Sequence, residues 1–182
     1  MGTWNSRGLR GSTLEELINV SIEKYKENGL ALIQKIPTPI KPITIDQSTR
    51  HITLAYFDQK STVDYIGVVQ GIPVCFDAKE CSCDRFPLAN IHEHQIAFMK
   101  SFEMQQGISF IILYYTHINE MYYLPYEKMY SFYERMIGGG KKSFLLDEID
   151  KEYRITSSEG IPVHFLRPLQ KDLANRDSWQ TI

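Results

Sequence analysis

Apolar residues recur at three- and four-residue steps in three stretches of the chain, a spacing that places them on one face of an α-helix. The first stretch covers residues 13–28, the second covers residues 90–104, and the third begins at Pro125 and ends at Gly138. Two glutamates follow the start of the first stretch, where negative charge favours a helix N-terminus. The pattern therefore predicts three amphipathic helices.

Short runs of β-branched, aromatic and other apolar residues lie between the predicted helices, and these runs have the length of strands. Their bounds are residues 30–36, 52–57, 63–69, 72–79, 108–115 and 120–124. The run at 108–115 is dense enough in apolar residues to predict a central strand. The three runs between residues 52 and 79 predict a meander of strands.

Three segments carry weaker patterns. Residues 1–12 contain Gly, Ser and Arg without periodicity, so we expect a flexible N-terminal arm. Three prolines after residue 36 keep the chain extended, and about residues 37–60 are predicted to protrude. The pattern over residues 141–182 is mixed and predicts only a poorly defined closing segment.

Length and charge set the class of protein. The chain has 182 residues, 43% of them hydrophobic, which supports one core and predicts a single domain over residues 13–182. The formal net charge of -2 argues against a binder that acts through bulk positive charge, so any contact with nucleic acid must be local.

The sequence also bears on the compartment. No run approaches the roughly 18 apolar residues of a membrane span, and the N-terminus lacks the basic and apolar regions of a signal peptide. The 3 cysteines lie within nine positions of each other and do not form a disulfide framework for a chain of this size. We therefore expect a cytoplasmic protein with reduced thiols and no membrane contact.

Two aspartates and a lysine form the candidate catalytic group. Asp64 stands at the start of one predicted strand, and Asp77 and Lys79 stand near the end of the next. Antiparallel pairing of these strands would bring the two carboxylates together, where a divalent cation would offset their repulsion. Residues two apart on a strand share a face, so Lys79 should lie beside Asp77, and Thr62 beside Asp64. Such a group suits metal-dependent hydrolysis of phosphodiesters.

Several longer stretches carry a more specific signal. They are Arg10-Gly-Ser-Thr-Leu-Glu15, Gln34-Lys-Ile-Pro-Thr-Pro39, Ser61-Thr-Val-Asp-Tyr-Ile-Gly67, Phe76-Asp-Ala-Lys-Glu80 and Phe86-Pro-Leu-Ala-Asn-Ile-His-Glu-His-Gln-Ile96. In content, order and spacing they resemble the RecU family of Holliday junction resolvases, whose fold is restriction-endonuclease-like. The resemblance extends over roughly residues 10–150.

The resemblance implies an α/β fold, with a central mixed β-sheet flanked by helices and a protruding, stalk-like segment. It implies a Mg²⁺-dependent endonuclease, with Mn²⁺ as a substitute ion, that resolves Holliday junctions in DNA recombination and repair. A homodimer would place two sites on the two-fold related strands and make paired symmetric nicks. The implied partners are branched DNA and a recombinase or branch-migration helicase.

Roles for individual residues also follow from the resemblance. The implied metal ligands are Thr62, Asp64, Asp77 and Gln95. Lys79 is the implied stabiliser of the transition state, and Glu15 is an auxiliary catalytic carboxylate. Asp77 stands where the family usually has glutamate, which is one methylene longer, so the ligand chemistry is retained with a shorter side chain.

Basic residues are the candidate DNA contacts. They are Arg10, Lys35, Lys41, Arg50, Lys141 and Lys142. The last two follow a Gly138-Gly-Gly run whose amides could approach a phosphate, although a solvated loop explains this segment equally well. The protruding segment carries fewer basic residues than the family resemblance leads one to expect, which predicts a weaker grip on the junction.

A zinc site is a rival interpretation of Cys81-x-Cys83 and His92-x-His94. Residues two apart on a helix diverge by about 200°, so His92 and His94 should not share one ion. The alternative is a surface loop for both cysteines, with His94 packed in the fold and His92 near phosphate.

Two other functions fit the same fold. One is a restriction-type or branched-DNA endonuclease with another substrate, because fold alone does not fix the substrate. The other is a non-catalytic protein that binds DNA or modulates a recombinase. Retention of Asp64, Asp77 and Lys79 argues against the second alternative.

Overall fold

The structure, a computed structural model, describes residues 13–57 and 62–179, with side chains described up to residue 176. The predicted N-terminal arm and its Arg10 lie outside the described residues. The helices are α1 (Thr13–Glu27), α2 (Glu93–Met104), α3 (Tyr126–Ile137) and α4 (Leu166–Trp179). None of the helices in this part of the chain is long and apolar enough to cross a membrane.

Ten strands form three sheets over the described ranges. The strands are β1 (Ala31–Lys35), β2 (Ile40–Asp46), β3 (His51–Phe57), β4 (Tyr65–Val69), β5 (Ile72–Cys81), β6 (Arg85–Pro87), β7 (Ile108–Tyr115), β8 (Glu120–Pro125), β9 (Ser143–Leu145) and β10 (Arg154–Ile155). The central sheet has six strands in the order β1-β4-β5-β7-β8-β10, while β2 pairs with β3 and β6 pairs with β9.

The central sheet is mixed, as predicted. β5 and β7 run parallel, and every other neighbouring pair in this sheet is antiparallel. A parallel pair needs a long crossover, which here contains α2. The turn between β4 and β5 is Gln70-Gly71, both with positive φ (46° and 90°), the backbone of a tight type I′ hairpin.

Helices cover both faces of the central sheet. On one face, Ile18 of α1 and Leu169 of α4 pack with Phe76 of β5. On the other face, Met99 of α2 and Phe132 of α3 form a second buried cluster with strand residues. The sheet is therefore the middle layer of an α/β sandwich, and the amphipathic faces predicted for α1 and α3 are buried against it.

The meander predicted over residues 52–79 is wrong in part. β4 and β5 are neighbours, but β3 pairs with β2 in a hairpin that is separate from the central sheet. Its apolar side chains are about half exposed or more, and they include Ile40, Ile43, Ile45, Ile52, Leu54, Tyr56 and Phe57. The hairpin lies within the segment predicted to protrude.

The closing segment has more structure than its pattern predicts. It contributes β10 to one edge of the central sheet and α4 to a helical layer. Tyr123 of β8 donates a hydrogen bond of 2.7 Å to Asp172 of α4, and both residues are buried. Sequence periodicity missed α4 because its contacts with the sheet include buried polar groups.

Candidate active site

Asp64 and Asp77 meet across β4 and β5. Tyr65 pairs with Phe76 in the antiparallel register, so Asp64, which precedes Tyr65, lies opposite Asp77. The backbone N–H of Asp64 donates to Asp77 Oδ1 at 3.0 Å, and the backbone N–H of Ala78 donates to Asp64 Oδ2 at 2.9 Å. These reciprocal bonds hold the two carboxylates side by side, as the strand positions predict.

Two side chains hold the other oxygen of Asp77. Lys79 Nζ forms an ion pair with Asp77 Oδ2, and Gln95 Nε2 donates to the same oxygen at 2.8 Å. Lys79 reaches Asp77 because both residues lie on one face of β5, whereas Gln95 comes from the first turn of α2. Asp77 is fully buried, and the Lys79 side chain is 18% exposed.

The charges of this group do not balance. Burial, and then the negative charge of Asp64, raise the pKa of the Asp77 carboxyl from 3.8 to about 7, against the opposing effect of Lys79. One lysine thus faces two carboxylates, and ionised Asp77 is costly without further positive charge. The site fits a divalent cation, because Mg²⁺ is commonly held by one or two carboxylates together with substrate phosphate.

Thr62 lies outside β4, although its orientation was predicted from its place on that strand. Residues 62–64 precede β4, so strand alternation does not apply to Thr62 and Asp64. Thr62 is exposed and Asp64 is half-buried. Ligation by Thr62, Asp64, Asp77 and Gln95 stays a prediction.

Glu15, in the first turn of α1, is paired with a lysine. Its carboxylate accepts a hydrogen bond of 2.7 Å from Lys35 Nζ at the end of β1. The adjacent Leu14 N–H donates to Glu80 Oε1 at 3.1 Å, which ties the first turn of α1 to β5 just beyond Lys79. The predicted DNA contact Lys35 therefore neutralises the predicted auxiliary carboxylate.

The other candidate DNA contacts lie in two places. Lys41 is on β2 and Arg50 is in the turn of the hairpin, with a φ of 58°. Lys141 and Lys142 are exposed in the loop before β9. The Lys142 carbonyl accepts the Leu88 N–H at 3.0 Å, so this loop is tied to the segment that leads into α2.

The cysteine and histidine pairs differ from expectation. Cys81 is the last residue of β5 and is buried, and only Cys83 is exposed, so the two do not share a surface loop. His92 precedes α2, and its ring stacks on that of His94 at 5.4 Å, so the divergence expected on a helix does not apply. Within the described ranges, no group of three or more His, Cys, Asp or Glu side chains is arranged to hold a metal ion.

Sequence reasoning missed the groups that set the carboxylate geometry. These are the backbone amides of Asp64 and Ala78 and the N–H of His92, which donates to Gln95 Oε1 at 3.0 Å. Almost every residue has a backbone N–H, so residue type does not reveal which of these groups acts as a donor. The Gln95 contact did have a signal, since glutamine at the third helical position often bonds the backbone of the N-cap residue.

The fold and the site together define an α/β protein with two adjacent carboxylates and a lysine, a set of groups suited to phosphodiester hydrolysis. The family model described as Recombination protein U (RecU) matches residues 9–171. The chain belongs to this family.

Named relatives agree with the family match. The chain is 38% identical over 169 residues to the Holliday junction resolvase RecU of Listeria welshimeri, which covers 90% of this chain and 84% of the relative. It is 43% identical over 148 residues to the Holliday junction resolvase RecU of Geobacillus sp., covering 79% and 74% respectively. The RecU protein of Bacillus pumilus is 43% identical over 149 residues, covering 80% and 72%.

Among solved structures, the chain aligns with Hjc of Archaeoglobus fulgidus, a Holliday junction resolvase from an archaeal hyperthermophile. The TM-score is 0.38 and the sequence identity is 8%, over 64% of this chain and 73% of Hjc.

Proposed function

We propose that this protein is a Mg²⁺-dependent endonuclease that resolves Holliday junctions by paired symmetric nicks. Family membership supports junction resolution in recombination and repair, since the matched relatives are Holliday junction resolvases. The observation that carries the chemistry is the buried Asp77 carboxylate, bonded at once to Asp64, Lys79 and Gln95.

Asp64 and Asp77 would hold the metal ion, with Thr62 and Gln95 as further ligands. A bound divalent ion supplies a water of lowered pKa and positive charge beside the scissile phosphate. The support for this assignment is the charge of the site, where a single lysine faces two carboxylates. A cation would offset the burial and the repulsion from Asp64 that together raise the pKa of Asp77.

Lys79 would stabilise the negative charge that develops on the phosphate. Its ammonium group lies against Asp77 and retains partial exposure, so it is oriented and still accessible to substrate. Because its side chain is held by Asp77, the positive charge is in place before the reaction begins, which is the preorganisation that lowers a transition-state barrier. Glu15, in the first turn of α1 and paired with Lys35, would serve as the auxiliary carboxylate.

Junction DNA would contact the basic residues near the site and on the hairpin. Lys41 and Arg50 extend along β2 and its turn, while Lys141 and Lys142 lie in the loop tied to the entry of α2. These cations would position the phosphate backbone without reading sequence. The overall charge of -2 makes the grip local and sensitive to salt.

Two coordinated nicks require two sites, so the working form would be a homodimer. A two-fold dimer matches the two-fold symmetry of a four-way junction and places one site on each cleaved strand. Light scattering should give about twice the chain mass of 21.2 kDa. A monomer mass that persists with junction DNA would instead indicate a single-strand nickase.

Cleavage of a mobile four-way junction, run beside linear duplex of the same sequence, tests the function. Each substrate is incubated with Mg²⁺ or with EDTA, and each strand is labelled separately so that symmetric cuts are detected. We expect Mg²⁺-dependent cleavage of the junction alone, in two opposed strands. Equal cleavage of the duplex would favour a restriction-type nuclease, and no cleavage of either would favour a non-catalytic DNA-binding protein.

A matched pair of variants locates the site. Asp77→Asn should abolish cleavage and leave junction binding intact, because other residues hold the DNA. Asp150→Asn is the control, since Asp150 is exposed and caps a short helical turn before β10. Unchanged turnover in Asp77→Asn would remove Asp77 from the site.

A further inference from the structure

Cys81, the last residue of β5, and Cys83 carry two thiols where the chain turns away from the central sheet. Cys81 is 7% exposed, Cys83 is exposed, and both thiols are free. Both thiols donate to the Arg85 carbonyl oxygen, each at 3.4 Å, and the Cys81 thiol also lies 3.0 Å from the Cys83 carbonyl oxygen. The two side chains are therefore directed to the same point of the turn.

Contacts with the rest of the fold hold this turn at both ends. The Cys81 carbonyl accepts the Thr116 N–H at 2.8 Å, and the Asp84 carbonyl accepts the Leu146 N–H at 2.9 Å. The Asp84 carboxylate also contacts His117 Nε2 at 2.7 Å. Because the backbone is already fixed, little chain entropy opposes a bond between the two sulfurs.

The two thiols have different surroundings. Burial, and after it the neighbouring Cys83 thiol, raise the pKa of the Cys81 thiol. The Tyr115 hydroxyl is buried close by, since burial and then the charge of Cys81 raise the pKa of that tyrosine. This hydroxyl has no hydrogen-bond partner within the described part of the chain, so it is a donor available to a Cys81 thiolate. Reactants from solvent reach Cys83 first.

We propose that Cys81 and Cys83 form a redox-active dithiol, which a small oxidised disulfide such as glutathione disulfide converts into an intramolecular disulfide. The Cys83 thiol gives its proton to water, and its thiolate attacks one sulfur of glutathione disulfide and releases one glutathione thiolate. The Cys81 thiol gives up its proton in the same way, and its thiolate attacks the Cys83 sulfur and displaces the second glutathione thiolate. The two cysteines lose two electrons and two protons, and one glutathione disulfide becomes two glutathione molecules.

The disulfide should be reduced as readily as it forms. Its ring would close over only three residues, which departs from the relaxed separation of ordinary disulfides. Strained disulfides have higher reduction potentials than structural ones, and they are the labile and regulatory class. The position of the glutathione pool would then set the state of the dithiol.

The dithiol adjoins the candidate active site. Asp77, Lys79 and Cys81 alternate along one face of β5, so Cys81 lies roughly 7 Å beyond Lys79. Beyond the turn, Arg85 Nη1 donates to Ser143 Oγ at 3.0 Å, next to the lysine loop that precedes β9. Oxidation removes both S–H donors from the Arg85 carbonyl, so it should loosen this frame and weaken junction binding. The effect on the junction rests on the proposed function, whereas disulfide formation does not.

Mass spectrometry of the full chain in glutathione buffers tests the dithiol. The oxidised protein should be lighter by two hydrogen atoms, and dithiothreitol should restore its mass. Cys75 is the internal control, because it is buried and contacts Ser109, and it should react with iodoacetamide after unfolding in every sample. Absence of reaction, a disulfide between chains, or a glutathione adduct that persists on the unaltered protein would overturn the proposal.

Two variants separate the steps. Cys81→Ser should retain one glutathione on Cys83, because the thiol that displaces it is missing. Cys83→Ser should stay unmodified, because Cys81 is buried. Circular dichroism establishes that each variant is folded, and equal uptake of glutathione by both variants would refute the order of attack.

Gel shift on a four-way junction measures the consequence, with Cys83→Ser treated in parallel as the control. Oxidation should weaken binding by the unaltered protein about tenfold, the equivalent of one hydrogen bond, and leave the control unchanged. Equal affinity of the reduced and oxidised forms would refute the link between the dithiol and the junction. Failure of the reduced protein to bind the junction would instead refute the proposed function, and the mass measurements would still decide whether the dithiol exists.

Discussion

Replacing Asp77 with asparagine should stabilise the metal-free protein at neutral pH, although the same change abolishes cleavage. Asp77 is fully buried beside Asp64, and its carboxyl has a pKa of about 7 instead of 3.8. The folded protein therefore keeps a proton on Asp77 at pH values where the unfolded chain has released it. Asparagine has a similar shape and no charge, so the variant avoids this penalty.

The size of the effect follows from the shift in pKa. Each pKa unit corresponds to about 1.4 kcal/mol, so ionising Asp77 lowers the free energy of unfolding by about 4 kcal/mol. The penalty is absent below the unfolded pKa of 3.8, grows as pH rises from there, and is complete above the folded pKa of about 7. The variant should therefore gain stability over the unaltered protein across this window.

Urea unfolding in EDTA, followed by circular dichroism between about pH 5 and 8, measures the difference. Asp46→Asn is the control, because Asp46 lies on the hairpin away from the central sheet and its hydrogen bonds lower its pKa to about 2, outside the window. Adding Mg²⁺ should restore stability to the unaltered protein and not to Asp77→Asn, since only the former retains both carboxylates. Parallel pH profiles for the unaltered protein and Asp77→Asn would refute the reasoning.

Three further predictions concern the site and its frame. Lys79→Ala should lower turnover about a hundredfold with little change in junction affinity, as measured by single-turnover cleavage and gel shift; lost affinity with retained turnover would make Lys79 a phosphate anchor. Gly67→Ala should destabilise the protein by about 1–3 kcal/mol in urea unfolding, because the added Cβ would lie 2.2 Å from the Leu32 carbonyl oxygen, and unchanged stability would contradict the close packing of β1 on β4. The Asp46 carboxylate accepts hydrogen bonds from Ser48 N and Oγ at 2.8 and 2.6 Å, and these bonds lower its pKa. NMR titration of Asp46 should therefore find a midpoint at about 2, with the bonds lost as pH falls through it. A midpoint near 3.8 would show that these bonds are absent in solution.

Local pattern was sufficient for the elements whose burial follows a regular pattern along the chain. The predicted strand at 108–115 is β7, and the helix predicted over residues 13–28 is α1 within one residue. The helix α1 buries one face at helical spacing, and β7 is buried on both faces, so its sequence is a continuous apolar run. The same holds for α3, which begins after Pro125 and buries Met129 and Phe132.

Pairing between strands was harder to predict than their positions. The apolar residues of β3 resemble those of a core strand, yet they are exposed on a hairpin with β2. The sequence shows which residues are apolar, but it does not show whether another segment of the fold packs over them. The contribution of α4 was missed for a related reason, because its buried Asp172 is acceptable only where Tyr123 and Arg176 supply donors.

For the site, the sequence by itself determined that Asp64, Asp77 and Lys79 would come together. The Gln70-Gly71 turn joins two short strands, and only one antiparallel register fits their pattern of alternating residues. In that register Asp64 lies opposite Asp77, and Lys79 lies on the same face of its strand as Asp77. This part of the geometry is local, since Asp64 and Asp77 are 13 positions apart on two strands joined by a tight turn.

Only the tertiary structure decided how Asp77 is held and which way Gln95 faces. Those features depend on the backbone amides of Asp64, Ala78 and His92, which every residue except proline possesses and which residue type therefore does not reveal. The elevated pKa of Asp77 likewise depends on the helices and strands that exclude water around it. Burial and donor direction arise when distant segments pack, so they enter the chemistry of the site only once the whole fold has formed.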